Sequence, residues 1–376
     1  MKPLRIALVH PFAWPEVRRG GERYLADLAW YLTRAGHRVD VITGTAGEPA
    51  TRVEDGATMR RLRHLSPGPM QRRGYGEAET FGIRVLPTLL RRRGYDIVHA
   101  FTPTAAIAAR LTGHRTLYTV LGHPARELVV SLPRESRLMR RAIRSASLVA
   151  ALSEASARAT EDSFGRRAEV LPPGVIIDRF PLRGTPRTGP PRVLFPAFAS
   201  NPEKGLGTLV EAFATLLDRR PDARLVLAGP GDSGWAFDRL GSSEGGRVRA
   251  AADTPGVGRL EDLPARYAGS TLTALPSTNE AFGLILVESL ACGTPVVCGA
   301  DGGMPEIVDS PTIGRTAPFG DARSLARAID ETIDLAADPA TPGHCRTRSL
   351  HYDWEKRVGP MHEAIYARIT GSAPSG

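Results

Sequence analysis

The sequence predicts an α/β protein of two consecutive domains, each a parallel sheet with helices on both faces. Three observations carry this. Short apolar, strand-like runs alternate with helical stretches from the first residues onward. The alternation breaks at a Gly- and Pro-rich stretch near the middle of the chain and then starts again. The length, 376 residues, is more than one ordinary core takes and suits two.

Arg5-Ile6-Ala7-Leu8-Val9-His10 reads as a buried parallel strand. A loop leads to Gly20-Gly21, and a helix follows with Leu25, Leu28, Ala29 and Leu32 on one stripe. Gly36 closes that helix, and Arg38 to Ile42 is the next strand. Further strands are expected at Asp96 to His99, Arg115 to Val120, Ser147 to Leu152 and Glu169 to Leu171. The stretch 183–191 is a linker by composition. Beyond it come a strand at Arg192 to Phe195, a helix around Leu206 to Leu217, and strands at Arg224 to Ala228, Leu272 to Leu275 and Pro295 to Cys298. Residues 354–369 form a last amphipathic helix, and the tail from Gly371 to Gly376 is expected to be disordered. The expected boundaries are a first domain at 1–182, the linker, a second domain at 192–351 and a closing helical segment at 352–370. Ligands are expected in a cleft between the domains, at the carboxyl ends of the strands.

Hydrophobic content of 42% with 24% charge describes a globular chain. No apolar run approaches the roughly 18 to 20 residues that a membrane helix needs. Met1 to Ile6 runs straight into a strand, so no signal peptide is expected and the location read is the cytoplasm. Cys292, Cys298 and Cys345 show no paired framework and no metal-ligand spacing, which suits a reducing compartment. Net charge is +9, unevenly spread: residues 1–188 hold 31 Lys and Arg against 17 Asp and Glu, and residues 189–376 hold 18 against 23. The basic half is suited to phosphates, an anionic membrane surface or nucleic acid; Arg used freely on solvated faces explains it equally well. Aromatics at 6% and the absence of a recognition module count against nucleic acid.

The chemistry concentrates in Pro276-Ser277-Thr278-Asn279-Glu280-Ala281-Phe282-Gly283-Leu284-Ile285-Leu286-Val287-Glu288. A strand ends at Leu275, a loop carries a carboxylate, and a helix begins near Gly283. The first amides of that helix, Leu284 and Ile285 among them, lack intrahelical partners and sit at its positive pole, a ready place for a diphosphate. Glu280 precedes the helix. Glu288 lies about one turn inside, where a carboxylate accepts ribose hydroxyls in dinucleotide sites. The same two acids can also be read as an ordinary surface acid and a dipole partner.

The Glu-x7-Glu segment followed by Ala291-Cys292-Gly293-Thr294-Pro295-Val296-Val297 closely resembles the C-terminal signature of glycosyltransferase family 4. Gly302 to Val308 resembles that family's next block, Pro172 to Phe180 its interdomain segment, and Tyr352-Asp353-Trp354-Glu355 the start of its last helix. With Gly20-Gly21, the resemblance spans nearly the whole chain. It implies a GT-B fold: two Rossmann-like domains, an interdomain cleft, and a C-terminal helix returning to the N-terminal domain. It implies a nucleoside diphosphate sugar donor and retention of anomeric configuration. Glu280 would lie at the donor sugar and Glu288 on the ribose. Gly21 would let backbone approach the diphosphate, Lys204 would bind phosphate, and Val257-Gly258-Arg259 would lie beside the nucleobase. Phe282, Gly283, Leu284 and Ile285 would complete the donor site. His123 would stand beside the sugar, although Pro124 follows it where many members carry an acid.

The implied mechanism is front-face attack, a donor phosphate oxygen taking the acceptor's proton, with no carboxylate nucleophile. No cofactor and no metal are expected, since Asp-x-Asp and clustered His or Cys are lacking. The expected acceptor is a hydroxyl-bearing small molecule or lipid, bound along 10–19, 60–75 and 126–137. The basic cluster Arg134, Arg137, Arg140, Arg141 and Arg144 is a candidate for contact with anionic membrane. One departure matters. The family's arginine five residues before the lysine is replaced by Ala199 here. Arg18 and Arg19, directly before Gly20-Gly21, are the candidates to supply the charge instead. The rival readings are a non-catalytic nucleotide-sugar-binding protein and a GT-B sugar-nucleotide epimerase. A nicotinamide dehydrogenase is discounted, because the first turn lacks Gly-x-Gly-x-x-Gly.

Overall fold

The computed structural model describes residues 2–64, 76–183 and 189–371. The chain forms two compact units, one of Met1–Gly174 with Trp354–Gly376 and the other of Val175–Asp353. The division falls at Gly174/Val175, ahead of the expected linker at 183–191. The reason is bonding rather than composition. The Arg183 amide donates to the Cys292 carbonyl at 3.0 Å, its guanidinium donates to the Ser270 carbonyl at 2.9 Å, and Val175 bridges Asp353. These contacts hold 175–183 to the second unit, although its composition reads as the end of the first.

In the first unit the elements are β1 (Arg5–Val9), α1 (Gly20–Arg34), β2 (Arg38–Thr45), β3 (Ala50–Glu54), β4 (Ala57–Arg63), α2 (Glu77–Arg91), β5 (Ile97–Ala100), α3 (Pro103–Leu111), β6 (Thr116–Val120), α4 (Arg126–Ser131), α5 (Pro133–Ser145), β7 (Leu148–Ala151), α6 (Glu154–Phe164) and β8 (Glu169–Val170). The described strands run β3-β4-β2-β1-β5-β6-β7-β8, with all pairings parallel except β3–β4. Ile6 to Val9 are fully buried because β1 has a strand on each side and helices on both faces. The hairpin β3–β4 was not expected. Its strands are half-exposed and carry no apolar run, and its turn is the Asp-Gly pair Asp55-Gly56, both at positive φ. The stretch 126–137, expected as a loop, is helical over α4 and the start of α5. Of 60–75, residues 60–63 are the end of β4, and 65–75 lie outside the described residues.

In the second unit the order is β9 (Arg192–Phe195), α7 (Leu206–Arg219), β10 (Arg224–Leu227), α8 (Gly234–Asp238), α9 (Ser242–Ala250), β11 (Ala252–Asp253), α10 (Leu263–Ala268), β12 (Leu272–Leu275), α11 (Leu284–Ala291), β13 (Val296–Gly299), β14 (Gly314–Ala317), α12 (Ala322–Leu335) and α13 (Thr341–Ser349). The described strands run β11-β10-β9-β12-β13-β14, all parallel.

A π-helical turn at Trp354–Val358 then leads into α14 (Gly359–Thr370), which belongs to the first unit. It docks through buried polar groups. Tyr24 Oη lies 2.7 Å from His362 Nε2, and His362 Nδ1 lies 2.8 Å from the Val358 carbonyl. His99 lies 2.8 Å from Tyr366 Oη and 2.7 Å from Thr119 Oγ1. Trp354 packs fully buried between Tyr24 and Tyr31. Among the described residues no helix is long and apolar enough to cross a membrane. The tail 372–376 lies outside the described residues, and with it the expectation of disorder there.

Candidate active site

In the second sheet β9 and β12 are neighbours, and from β9 the chain builds first toward β10 and later toward β13. Such a reversal of strand order leaves a crevice at the carboxyl ends of the two strands. The loops leaving β9 and β12 carry Lys204 and Glu280 into it. After β9, the Asn201 side chain accepts the Glu203 amide at 3.0 Å and starts a 3-10 turn, Pro202–Lys204. Gly205 then turns the chain at φ +76, and a Cβ there would lie 2.1 Å from the Pro276 carbonyl oxygen. The Thr278 amide donates to the Glu203 carbonyl at 2.9 Å. Laced in this way, the two loops place Lys204 Nζ 2.5 Å from Glu280 Oε2, with Ser277 Oγ 3.4 Å from the same oxygen. The lysine and glutamate side chains stay 28% and 22% exposed, so a ligand can reach both.

The segment after β12 is held from below. The Gly303 amide donates to the Glu280 carbonyl at 2.8 Å, and Thr278 Oγ1 donates to Asp301 at 2.5 Å. Gly283, at φ +109, precedes α11 without a side-chain cap, so the amides of Leu284 and Ile285 open the helix beside Glu280. Glu288 lies one turn further in, only 4% exposed, and its Oε2 accepts the Tyr267 hydroxyl at 2.8 Å. The Phe282 ring is buried against Tyr352, centroids 5.2 Å apart, so its side chain serves packing. Val257 is 52% exposed. Arg259 is exposed too, with its guanidinium 3.3 Å from Glu261 and its amide donating to Asp262 at 2.7 Å. Ala199 is a buried backbone corner: its amide donates to the Pro230 carbonyl at 2.7 Å, and its carbonyl accepts Trp235 Nε1 at 3.1 Å.

The first unit has its own reversal at β1 and β5. His10, at the end of β1, is buried with Nδ1 2.7 Å from the Phe12 carbonyl oxygen. Burial lowers its pKa to about 4, against the Phe12 hydrogen bond and with help from the Arg19 charge, so the ring is neutral near pH 7. Gly20 and Gly21 begin α1, and a Cβ on Gly21 would lie 3.0 Å from Leu121, which follows β6. His123, two residues further, is half-buried with Nδ1 3.2 Å from Ser156 Oγ. Glu22 is buried in the first turn of α1, and burial raises its pKa. Arg18 and Arg19 are exposed.

The structure thus gathers Lys204, Glu280, Gly283, Leu284, Ile285 and Glu288 in one unit, and Gly21 and His123 in the other. Sequence reasoning missed Tyr267 and Ser277. Ser277 stood within the segment already singled out. Tyr267 precedes Glu288 by 21 residues, and no helical or strand spacing joins them.

Residues 18–179 match the glycosyltransferase family 4 description, and residues 185–343 match that of the glycosyl transferases group 1. The chain is 30% identical to the D-inositol 3-phosphate glycosyltransferase of Kineococcus radiotolerans over 89% of its own length and 88% of that protein's. The enzyme of the same name from Corynebacterium jeikeium is 31% identical, and there the match spans 55% of this chain and about half, 53%, of the relative. Sucrose-phosphate synthase from Thermosynechococcus elongatus superimposes with a TM-score of 0.82 at 20% identity, covering 98% of this chain and all of that one. Anabaena Alr3699/HepE in complex with UDP-glucose does so with a TM-score of 0.70 at 21% identity, again over 98% of this chain and all of the other. These likenesses show the GT-B fold. With both units matched and a relative aligned along most of its length, the chain belongs to glycosyltransferase family 4, the glycosyl transferases of group 1.

Proposed function

We propose that this glycosyltransferase moves a sugar from a nucleoside diphosphate donor to a hydroxyl acceptor, with retained anomeric configuration and without a metal. The observation that carries the reading is the meeting of Lys204 and Glu280 at the strand-order reversal, beside the open amides of α11. The lysine offsets charge developing on the leaving diphosphate, and the helix amides add neutral donors. Glu280 orients sugar hydroxyls, Glu288 receives the ribose, and Val257 and Arg259 stand beside the base. His123, held by Ser156, acts at the sugar. A donor phosphate oxygen takes the acceptor's proton as the acceptor oxygen bonds the anomeric carbon and the diphosphate leaves from the same face.

The names of the inositol phosphate relatives supply the first acceptor to try, an inositol phosphate. A thermal-shift panel of nucleoside diphosphates and their sugars identifies the donor, because a ligand of the native state raises the melting temperature. Transfer to the acceptor panel, run with and without EDTA, is then followed by NMR of the product's anomeric proton. Inverted product or EDTA-sensitive turnover refutes the mechanism. The rival reading, a protein that binds nucleotide sugars without turnover, is not favoured by the family matches over both units. The exposed arginines of α5 add a proposed contact with anionic membrane from the cytoplasmic side. Failure to sediment with anionic liposomes at low salt removes it.

A further inference from the structure

Glu288 is an unusual ligand for a ribose. It is almost wholly buried, and a buried carboxylate left without donors either takes up a proton or turns toward water. Tyr267 is a donor to it: its hydroxyl donates to Oε2 at 2.8 Å from a ring that is itself buried. A carboxylate offers about four lone-pair sites, and the Tyr267 hydroxyl engages one on Oε2.

The tyrosine is fixed at both ends. Its carbonyl accepts Thr294 Oγ1 at 2.8 Å, and its ring lies 6.3 Å from that of Phe180. Its helix is tied to the end of α11 through Pro264, whose carbonyl lies 3.7 Å from Sγ of Cys292, the residue that closes that helix. On the other side Ser289, next to Glu288, donates to the Thr294 carbonyl at 3.0 Å. With both groups buried and the segments that carry them bonded to each other, the tyrosine hydroxyl favours one orientation of the carboxylate, and a ribose then meets an acceptor already aligned. The segment that carries Tyr267 begins with the exposed Val257–Arg259 stretch and continues through the 3-10 turn Leu260–Asp262 into α10. One segment therefore supplies both the candidate base contact and the residue that aims the ribose carboxylate.

We propose that Tyr267 is the positioning residue for ribose recognition: it holds Glu288 in the orientation that accepts the ribose hydroxyls, and so sets the preference for ribonucleoside over deoxyribonucleoside diphosphates. The inference rests on Glu288 receiving the ribose.

The test uses full-length protein and calorimetric titration. The probes are whichever of uridine, guanosine or adenosine diphosphate binds the wild type most tightly, and its 2′,3′-dideoxy counterpart, which offers Glu288 no hydroxyl. Tyr267→Phe keeps the ring and removes one charge-assisted hydrogen bond. It is expected to weaken the ribonucleotide roughly tenfold and to leave the dideoxy form within twofold. Glu288→Gln, measured alongside, should also erode the discrimination. Equal losses for both probes in Tyr267→Phe mean a structural role only and overturn the proposal. Unchanged ribonucleotide affinity in Tyr267→Phe, with a ribose-specific loss in Glu288→Gln, overturns it while leaving the ribose reading intact. If neither variant discriminates less than the wild type, the ribose reading fails and the proposal with it.

Discussion

Acidification should release α14 from the first unit, and the size of the effect follows from His362. Its Nδ1 faces the Val358 carbonyl at 2.8 Å and must donate there, so Nε2 accepts from the Tyr24 hydroxyl at 2.7 Å. Around it stand Trp354, Tyr24, Tyr366 and His99, all buried, and none of them offers a negative charge to a protonated ring. Burial lowers the His362 pKa to about 4, from an ordinary value of 6.5. The folded state therefore binds fewer protons than the unfolded state between these values. Stability is complete above 6.5 and is lost as pH falls toward 4. At pH 5 the loss from this one ring is about 2 kcal/mol, approaching about 3.4 kcal/mol below pH 4. His99 adds to it in the same direction, its pKa held well down by burial and by His362. Hydrogen exchange followed by mass spectrometry reads the effect on the peptide covering α14. Corrected for intrinsic rates, its protection should fall about thirtyfold between pH 7.5 and pH 5. His362→Gln, which does not titrate, should weaken that dependence and leave the share that His99 contributes. Protection that is the same at both pH values in the wild type refutes the reasoning.

Three further outcomes are expected. Lys204→Met removes the cation at Glu280 and should weaken nucleoside diphosphate binding by roughly ten- to a hundredfold, measured by calorimetry; unchanged affinity would mean that the lysine does not meet phosphate. Gly205→Ala forces φ +76 on a side-chain-bearing residue and drives a Cβ into the Pro276 carbonyl, so a loss of about 1–3 kcal/mol is expected in chemical unfolding, with donor affinity falling alongside. Arg18→Ala and Arg19→Ala, tested one at a time, should reduce donor affinity in at least one variant if these exposed arginines stand in for the family's missing one. Wild-type affinity and turnover in both removes them as candidates.

The strands were legible because parallel strands covered on both faces are short continuous apolar runs, as in Ile6 to Val9 or Val296 to Cys298. The hairpin β3–β4 was not, because Thr51, Arg52 and Val53 are exposed and no apolar pattern marks them. Its one local signal was Asp55-Gly56, a pair suited to a two-residue turn with both residues at positive φ. The boundary at Gly174 was hidden by a similar mismatch. Gly and Pro content marks where a chain can bend, but bonds from Arg183 to Ser270 and from Arg346 to the Phe180 carbonyl decide which unit holds it. Within the site, Glu280, the start of α11 and Glu288 were legible as one local stretch. The pairing of Lys204 with Glu280 spans 76 residues and that of Tyr267 with Glu288 spans 21, and both depend on which strands lie side by side.

The two carboxylates of the Glu-x7-Glu stretch end in opposite surroundings, and this difference argues for different work. Glu280 lies on a loop, in contact with a cation and open to solvent, so it can exchange its partner for a ligand hydroxyl while Lys204 turns to phosphate. Glu288 lies inside a helix, buried, with a buried tyrosine hydroxyl donating to it, which suits a ligand matched to one orientation of the carboxylate. Ala199 sharpens the contrast. Its amide and carbonyl are engaged in lacing the β9 loop to the loop after β10 and to α8, so this position contributes shape and no charge. Before a donor arrives, Lys204 and Glu280 cancel. A diphosphate seated there would be held chiefly by helix amides and by a lysine drawn away from its carboxylate. On the proposed donor reading, and unless Arg18 or Arg19 adds charge, recognition would then rest more heavily on the ribose and the base. On that reading the weight of specificity would fall on the segment from Val257 to Tyr267 and on Glu288.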